Sequence, residues 1–160
     1  MRLVSLLLCF VLAGCGFKLR GTADLPFETL YIPAAYSGIA LELKRQVQAG
    51  TRTEVVGDAA SAQAVLQFTQ EAREKHILSL SATGRVREFQ LRYRVGVRVH
   101  DGKGREFVPA STVQLTREIT FTDAEVLAKE SEEQQLYRDM QLDMVQQIMR
   151  RLEAAQKPRT

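Results

Sequence analysis

Apolar and polar residues alternate almost strictly between Val86 and His100. Phe89, Leu91, Tyr93, Val95, Val97 and Val99 fall on one parity; Glu88, Gln90, Arg92, Arg94, Gly96, Arg98 and His100 fall on the other. A period of two predicts a strand with one buried and one polar face. Asp101-Gly102-Lys103-Gly104 reads as a turn. A second strand follows, with Val113, Leu115, Ile119 and Phe121 on one face and Thr112, Gln114, Thr116, Glu118 and Thr120 on the other. Pro109 has no N–H to give a ladder, so this strand is expected to begin at an edge or bulge. Upstream, Leu30-Tyr31-Ile32 before Pro33 predicts a short strand. Val65 to Thr69 starts another, the charged stretch Glu71 to His76 interrupts it, and Ile77 to Leu80 resumes it.

Two segments carry a helical period instead. Ile39, Leu43 and Val47 recur every fourth residue between Ser37, a suitable N-cap, and Gly50, a suitable stop. Leu136, Met140, Met144, Ile148 and Leu152 do the same over a longer stretch, and Tyr137, Val145 and Met149 widen that stripe. Thr122 or Asp123 is expected to cap this final helix, and Arg150 and Arg151 suit the negative end of its dipole. Gly57 to Gln63 reads as a loop, and residues 154–160 as a frayed tail. The order strand, helix, several antiparallel strands, helix predicts an α+β fold. Its form is a two-layer sandwich, with two helices packed on one face of a mostly antiparallel four-stranded sheet. Residues 27–153 form this single domain.

The first fifteen residues follow a third pattern. Met1-Arg2 brings one positive charge, Leu3 to Leu12 is apolar but for Ser5, and Leu12-Ala13-Gly14-Cys15 ends the run. Ten apolar residues span roughly 15 Å as a helix, about half a bilayer core, so residues 1–14 read as a signal peptide and not as an anchor. Cysteine directly after Leu-Ala-Gly resembles the lipobox of bacterial lipoproteins. That resemblance makes Cys15 the acylated first residue and 15–26 a lipidated N-terminus and tether. Several acyl chains would make anchoring effectively permanent, where one binds only marginally.

Composition removes several function classes. Of 22 basic and 19 acidic side chains, loss of Arg2 leaves 21 and 19, a net charge of +2. That balance gives no argument for nucleic acid. Cys9 leaves with the signal peptide and Cys15 carries lipid, so no disulfide is expected. His76 and His100 stand on different strands without cysteines or paired acids nearby, which argues against a metal. Phosphate-loop, dinucleotide and nucleophile-elbow motifs are absent, as is any nucleophile–base set. The sequence therefore points to a protein that is not an enzyme and needs no cofactor.

What remains is surface. Arg92, Arg94 and Arg98 share the polar face of the long strand, Arg85 and Arg87 flank its start, and Lys129 stands early in the last helix. This is either a solvated face or a docking surface, since arginine pairs bidentately with carboxylate or phosphate. A sheet with helices on one side leaves its other face free for a partner.

Four stretches together are similar to the LptE family, small lipoproteins of the lipopolysaccharide export machinery of Gram-negative bacteria. They are Leu12-Ala13-Gly14-Cys15 with Gly16-Phe17-Lys18-Leu19-Arg20-Gly21, the Glu88-Phe89-Gln90-Leu91 run, Val126-Leu127-Ala128-Lys129-Glu130, and the stretch from Met140 to Leu152. The resemblance implies a two-helix, four-stranded sandwich. It implies a protein that sits inside the lumen of the LptD barrel, helps that barrel assemble and binds lipopolysaccharide. It also implies a lipid-anchored place on the periplasmic side of the outer membrane, favoured by Gly16 where an aspartate would retain the protein in the inner membrane. On this reading Arg92, Arg94 and Arg98 are candidates for barrel contact, and Arg85, Arg87 and Lys129 for lipopolysaccharide phosphates. The alternative is an unrelated periplasmic lipoprotein that binds and presents a hydrophobic ligand.

Overall fold

The computed structural model describes residues 24–33, 38–122 and 126–155. In chain order the elements are β1 (Thr29–Tyr31), α1 (Gly38–Gly50), β2 (Glu54–Val56), β3 (Ala64–Leu80), β4 (Val86–His100), β5 (Glu106–Thr120) and α2 (Val126–Glu153). A 3-10 turn over Ala59–Ser61 separates β2 from β3 and is capped by the Asp58 side chain, which accepts from the Ala60 N–H. The α+β sandwich with two helices on one side is present. Its sheet, however, has five strands in the order β2-β1-β3-β4-β5 and is mixed, not four-stranded and mostly antiparallel. β1 pairs in parallel with both β2 and β3, and β3, β4 and β5 form an antiparallel meander. The additional strand, Glu54–Val56, is three residues long. Three residues carry no alternation to read, and it exists because α1 returns the chain beside β1.

A second correction concerns β3. The charged stretch does not interrupt the strand; Ala64 to Leu80 is continuous, seventeen residues paired with β4. A bulge at Thr69 resets its register, so that Glu71, Arg73 and Lys75 lie opposite Val95, Tyr93 and Leu91 on the helix side. Gly96 makes that bulge possible. A Cβ there would stand 2.3 Å from Thr69 Oγ1 and 3.3 Å from the Gln70 backbone N.

The core lies between sheet and helices. Ile39, Leu43 and Val47 of α1 meet Leu30, Leu66, Val97 and Val99 from the strands and Val145, Ile148, Met149 and Leu152 from α2, all buried. Phe27 opens this core. Leu91, Tyr93 and Val95 are fully covered and Val97 nearly so, and Phe89 packs against the core's edge. Pro109 falls where expected, at an edge strand near an irregular register between Val97 and Val99. Gly102 and Gly104 take positive φ in the β4–β5 turn. Cys15, Ser37, Asp123 and the tail beyond Ala155 lie outside the described residues. The final helix is described from Val126.

Candidate functional site

The side of the sheet away from the helices is uncovered, and the pairing register decides what it displays. Arg92 lies opposite Glu74 and Thr116, Arg94 opposite Ala72 and Gln114, and Arg98 opposite Gln67. Directly opposed residues of antiparallel strands share a face, so the three arginines do stand together, as the alternation of β4 predicts. Glu74 joins them. Its carboxylate accepts a hydrogen bond from Arg94, pairs with Arg92 at 3.7 Å and meets His76 Nε2 at 3.0 Å. The His76 contact and then Arg94 hold the Glu74 carboxyl below its ordinary range, against the opposing effect of burial. Arg98 donates from Nε to Gln67 at 2.7 Å, and Arg92 from Nη2 to Gln90 at 3.2 Å. The Nε donors of Arg92 and Arg94 are buried and have no acceptor among the described residues. Glu88 and Glu118 complete the pattern, at the distal end of the same face. Carboxylates thus interleave with the arginines across it. Glu74 escaped sequence reasoning because its partners are set by a long-range register that no local spacing reveals.

The second group lies at the far end of the β3–β4 hairpin. The Phe121 N–H donates to the Arg87 carbonyl at 2.7 Å, and Lys129 Nζ donates to Thr120 Oγ1 at 3.2 Å. These bonds bring the hairpin, the end of β5 and the head of α2 together, so Arg85, Arg87 and Lys129 share one end of the domain. Arg85 and Arg87 are exposed. Lys129 is not a loop residue: it is in the first turn of α2, pairs with Glu132 at 2.9 Å and leaves its side chain 16% exposed. Sequence reasoning missed the apolar companions of these cations. Ile77, Leu78, Leu80, Val126 and Leu127 are all exposed here, Leu127 at 82%. Exposed Ile and Leu in a cluster are unusual enough on a small domain to mark a contact surface.

Two open clefts lie at the opposite, proximal end. One is walled by Ser61, Gln63, Asp101, Lys103, Arg105 and Phe107 among others, the second by Asp24, Glu28, Arg52, Thr53 and Glu153 among others. The first wall mixes its polar groups with Ala59, Ala60, Ala62 and Phe107, whereas the second is mainly polar. Among the described residues no group of three or more His, Cys, Asp or Glu could hold a metal ion, and no helix is long and apolar enough to cross a membrane.

The LptE family profile, described as lipopolysaccharide-assembly, matches residues 27–152. The chain is 28% identical over 158 residues to the LPS-assembly lipoprotein LptE of Photorhabdus laumondii, covering 94% of this chain and 85% of that one. It is 30% identical to the protein of the same name in Yersinia pestis (strain Pestoides F), over 94% and 75% of the two chains. Its fold is similar to the solution structure of an uncharacterized lipoprotein B from Nitrosomonas europaea, at a TM-score of 0.74 and 47% identity, covering 87% and 91%. The rare lipoprotein B of Shewanella oneidensis shares the fold at a TM-score of 0.68 and 22% identity, over 79% and 94%.

Proposed function

The chain belongs to the LptE family and is a lipopolysaccharide-assembly lipoprotein, and from that premise we propose that it plugs an LptD-type outer-membrane barrel. In this reading it assists the barrel's assembly, binds lipopolysaccharide on its way to the outer leaflet, and does so without catalysis or cofactor. The observation that carries the plug is the uncovered polar face of β3, β4 and β5. A barrel wide enough for a glycolipid has a polar lumen that must be filled. A face that interleaves Arg92, Arg94 and Arg98 with Glu74, Glu88 and Glu118 suits a wall of mixed polarity better than a row of phosphates.

The distal end suits the other partner. Cations beside exposed Ile77, Leu80 and Leu127 match a ligand that carries both phosphates and acyl chains. In this reading Cys15 is the anchor: Asp24 lines a cleft at the proximal end, and nine residues back to Cys15 span at most about 30 Å. Lipid on Cys15 would hold the proximal end near the inner leaflet on the periplasmic side and raise the local concentration for docking.

Detergent extraction of a tagged chain tests the plug. A large barrel should co-purify in equal amount, and reversing Arg92, Arg94 and Arg98 to Glu should release it while the chain stays folded. A chain that comes down alone sinks the proposal. A Cys15→Ala chain should accumulate as uncleaved or soluble precursor.

A further inference from the structure

Two neighbouring glutamates of α2 hold two lysines in different ways. Glu133 pairs with Lys75 of β3 at 2.5 Å, where Lys75 Nζ also lies over the Phe89 ring. That pair ties the helix to the sheet. Glu132 pairs with Lys129 at 2.9 Å, within the helix itself. Its side chain is 49% exposed and makes no other polar contact among the described residues. Lys129 is the more enclosed member, and it also donates to Thr120 Oγ1 at 3.2 Å. Thr120 lies opposite Glu88 on the open face, so Lys129 reaches round the end of β5 to the rim where the helix layer and that face meet. Lys129 thus has its own link to the sheet through Thr120, and Glu132 has none.

We propose that Glu132 is a specificity-determining residue of the distal site: it occupies Lys129 in the empty protein and yields that ammonium only to a phosphate. The inference rests on the distal lipopolysaccharide reading and adds to it a residue that opposes binding. The chemistry is an exchange of acceptors. A carboxylate offers the ammonium one negative charge, whereas a phosphate monoester offers nearly two, with three acceptor oxygens. Lys129 is enclosed enough to be screened less than a surface cation, so the identity of its acceptor matters.

The helix makes this bond one that a stronger acceptor can replace. Lysine precedes glutamate here, at a spacing of three, which is the weaker order of such a pair on a helix. Exposed Arg85 and Arg87 attract any anion, but Lys129 must first lose Glu132. The acid therefore sets a threshold. Ligands that are neutral or carry a single carboxylate do not compensate for the broken pair, and phosphorylated ones do. The exchange also keeps affinity moderate, as suits a ligand that has to be passed on. Glu133 cannot play this part, because its removal would loosen α2 from β3 as well as change the charge.

The test uses the full chain in detergent with purified lipopolysaccharide, either intact or stripped of its phosphates. Glu132→Gln should bind the intact ligand about threefold more tightly than the unsubstituted chain, the gain expected from releasing one partly exposed ion pair. Glu130→Gln removes the same charge from an exposed neighbour and should gain clearly less. In a Lys129→Gln chain, Glu132→Gln should add no more than Glu130→Gln does. Ligand without phosphates should show no gain. Melting temperatures check that each variant is folded. The inference is overturned by an unchanged affinity of Glu132→Gln, by equal gains from Glu130→Gln and Glu132→Gln, or by a gain that survives either Lys129→Gln or removal of the phosphates. The distal site itself still stands in those cases if Lys129→Gln weakens binding of the intact ligand. If Lys129→Gln leaves that binding unchanged, Lys129 is not part of the site and both readings of it fall.

Discussion

The proximal and distal halves of this sheet are built from the same three long strands yet are stabilised in different ways. β3 spans about 55 Å and α2 about 42 Å, but α1, with thirteen residues, covers only about 20 Å. Where both helices lie on the sheet the interior is dry: Leu30, Leu43, Val47 and Ile148 have no exposure. Where α1 is missing, β3 turns charged side chains toward the helix layer instead. Arg73 lies over the Tyr93 and Tyr137 rings at 4.9 and 5.6 Å and donates to Gln141 at 2.8 Å. Lys75 lies 4.2 Å from the Phe89 ring centre and also pairs with Glu133. Tyr93 donates its hydroxyl to Glu71 at 2.7 Å, and Tyr137 donates to the Glu74 carbonyl at 2.8 Å. Long basic side chains thus cover aromatic rings with their stems while their heads stay wet. Such a seam needs no second helix. It leaves the distal end less buried, as suits a region meant for partners.

If this division is right, mutations should separate the halves by size of effect. Leu43→Ala, in the dry half, should cost about 3–5 kcal/mol, because a fully buried leucine leaves a cavity between α1 and the sheet. Ile77→Ala, at 59% exposure, should stay within about 0.5 kcal/mol. Denaturant unfolding of both variants measures the difference, and equal losses would dissolve the distinction.

The junction between the halves should come next. Gly96→Ala must push Thr69 aside and should cost about 1–3 kcal/mol. Thr69→Ala removes the nearest obstructing atom, so the double variant should recover part of that loss. Equal instability of the single and double variants would show that the bulge does not depend on this contact.

These sites also show what the sequence could and could not disclose. The faces of β4 and β5 and the stripe of α2 were legible, because each alternation or four-residue spacing reports burial directly. The continuity of β3 was not. Charges read as a break when no local signal says that Tyr93, Tyr137 and Phe89 lie across from them. β2 was too short to show a period, and the Glu74 cluster depends on a register fixed by a bulge. The basic residues of the candidate sites were legible as residue types. Their apolar neighbours Ile77, Leu78, Leu80 and Leu127 were not, since exposure of a leucine has no sequence signature.

The distal seam should respond weakly to truncation. Arg73→Ala gives up two ring contacts and the Gln141 bond in an exposed setting, for about 1 kcal/mol. Acid should produce the smallest separation. Glu74 and Asp101 are both held below their ordinary values of 4.5 and 3.8. For Asp101 the main cause is the Lys103 backbone N–H, and the Arg105 backbone and side chain add to it. A carboxyl depressed in the folded state contributes stability above its unfolded pKa, and that contribution fades as pH falls through the folded value. Stability should therefore be level near neutrality and fall below about pH 4.5. Glu74→Gln should flatten part of that fall, as thermal melts across the acid range would show.

The direct test of a stabilising proximal half and a binding distal half is lipopolysaccharide affinity measured beside melting temperature. The Arg85→Glu, Arg87→Glu, Lys129→Glu triple variant is compared with the unsubstituted chain. Arg85 and Arg87 are exposed and Lys129 is already paired with Glu132, so each contributes little alone, and the three together should weaken binding by about tenfold while the melt stays nearly unchanged. Unaltered binding by a folded triple variant, or a loss of binding that only follows a collapse of the melt, would contradict the account.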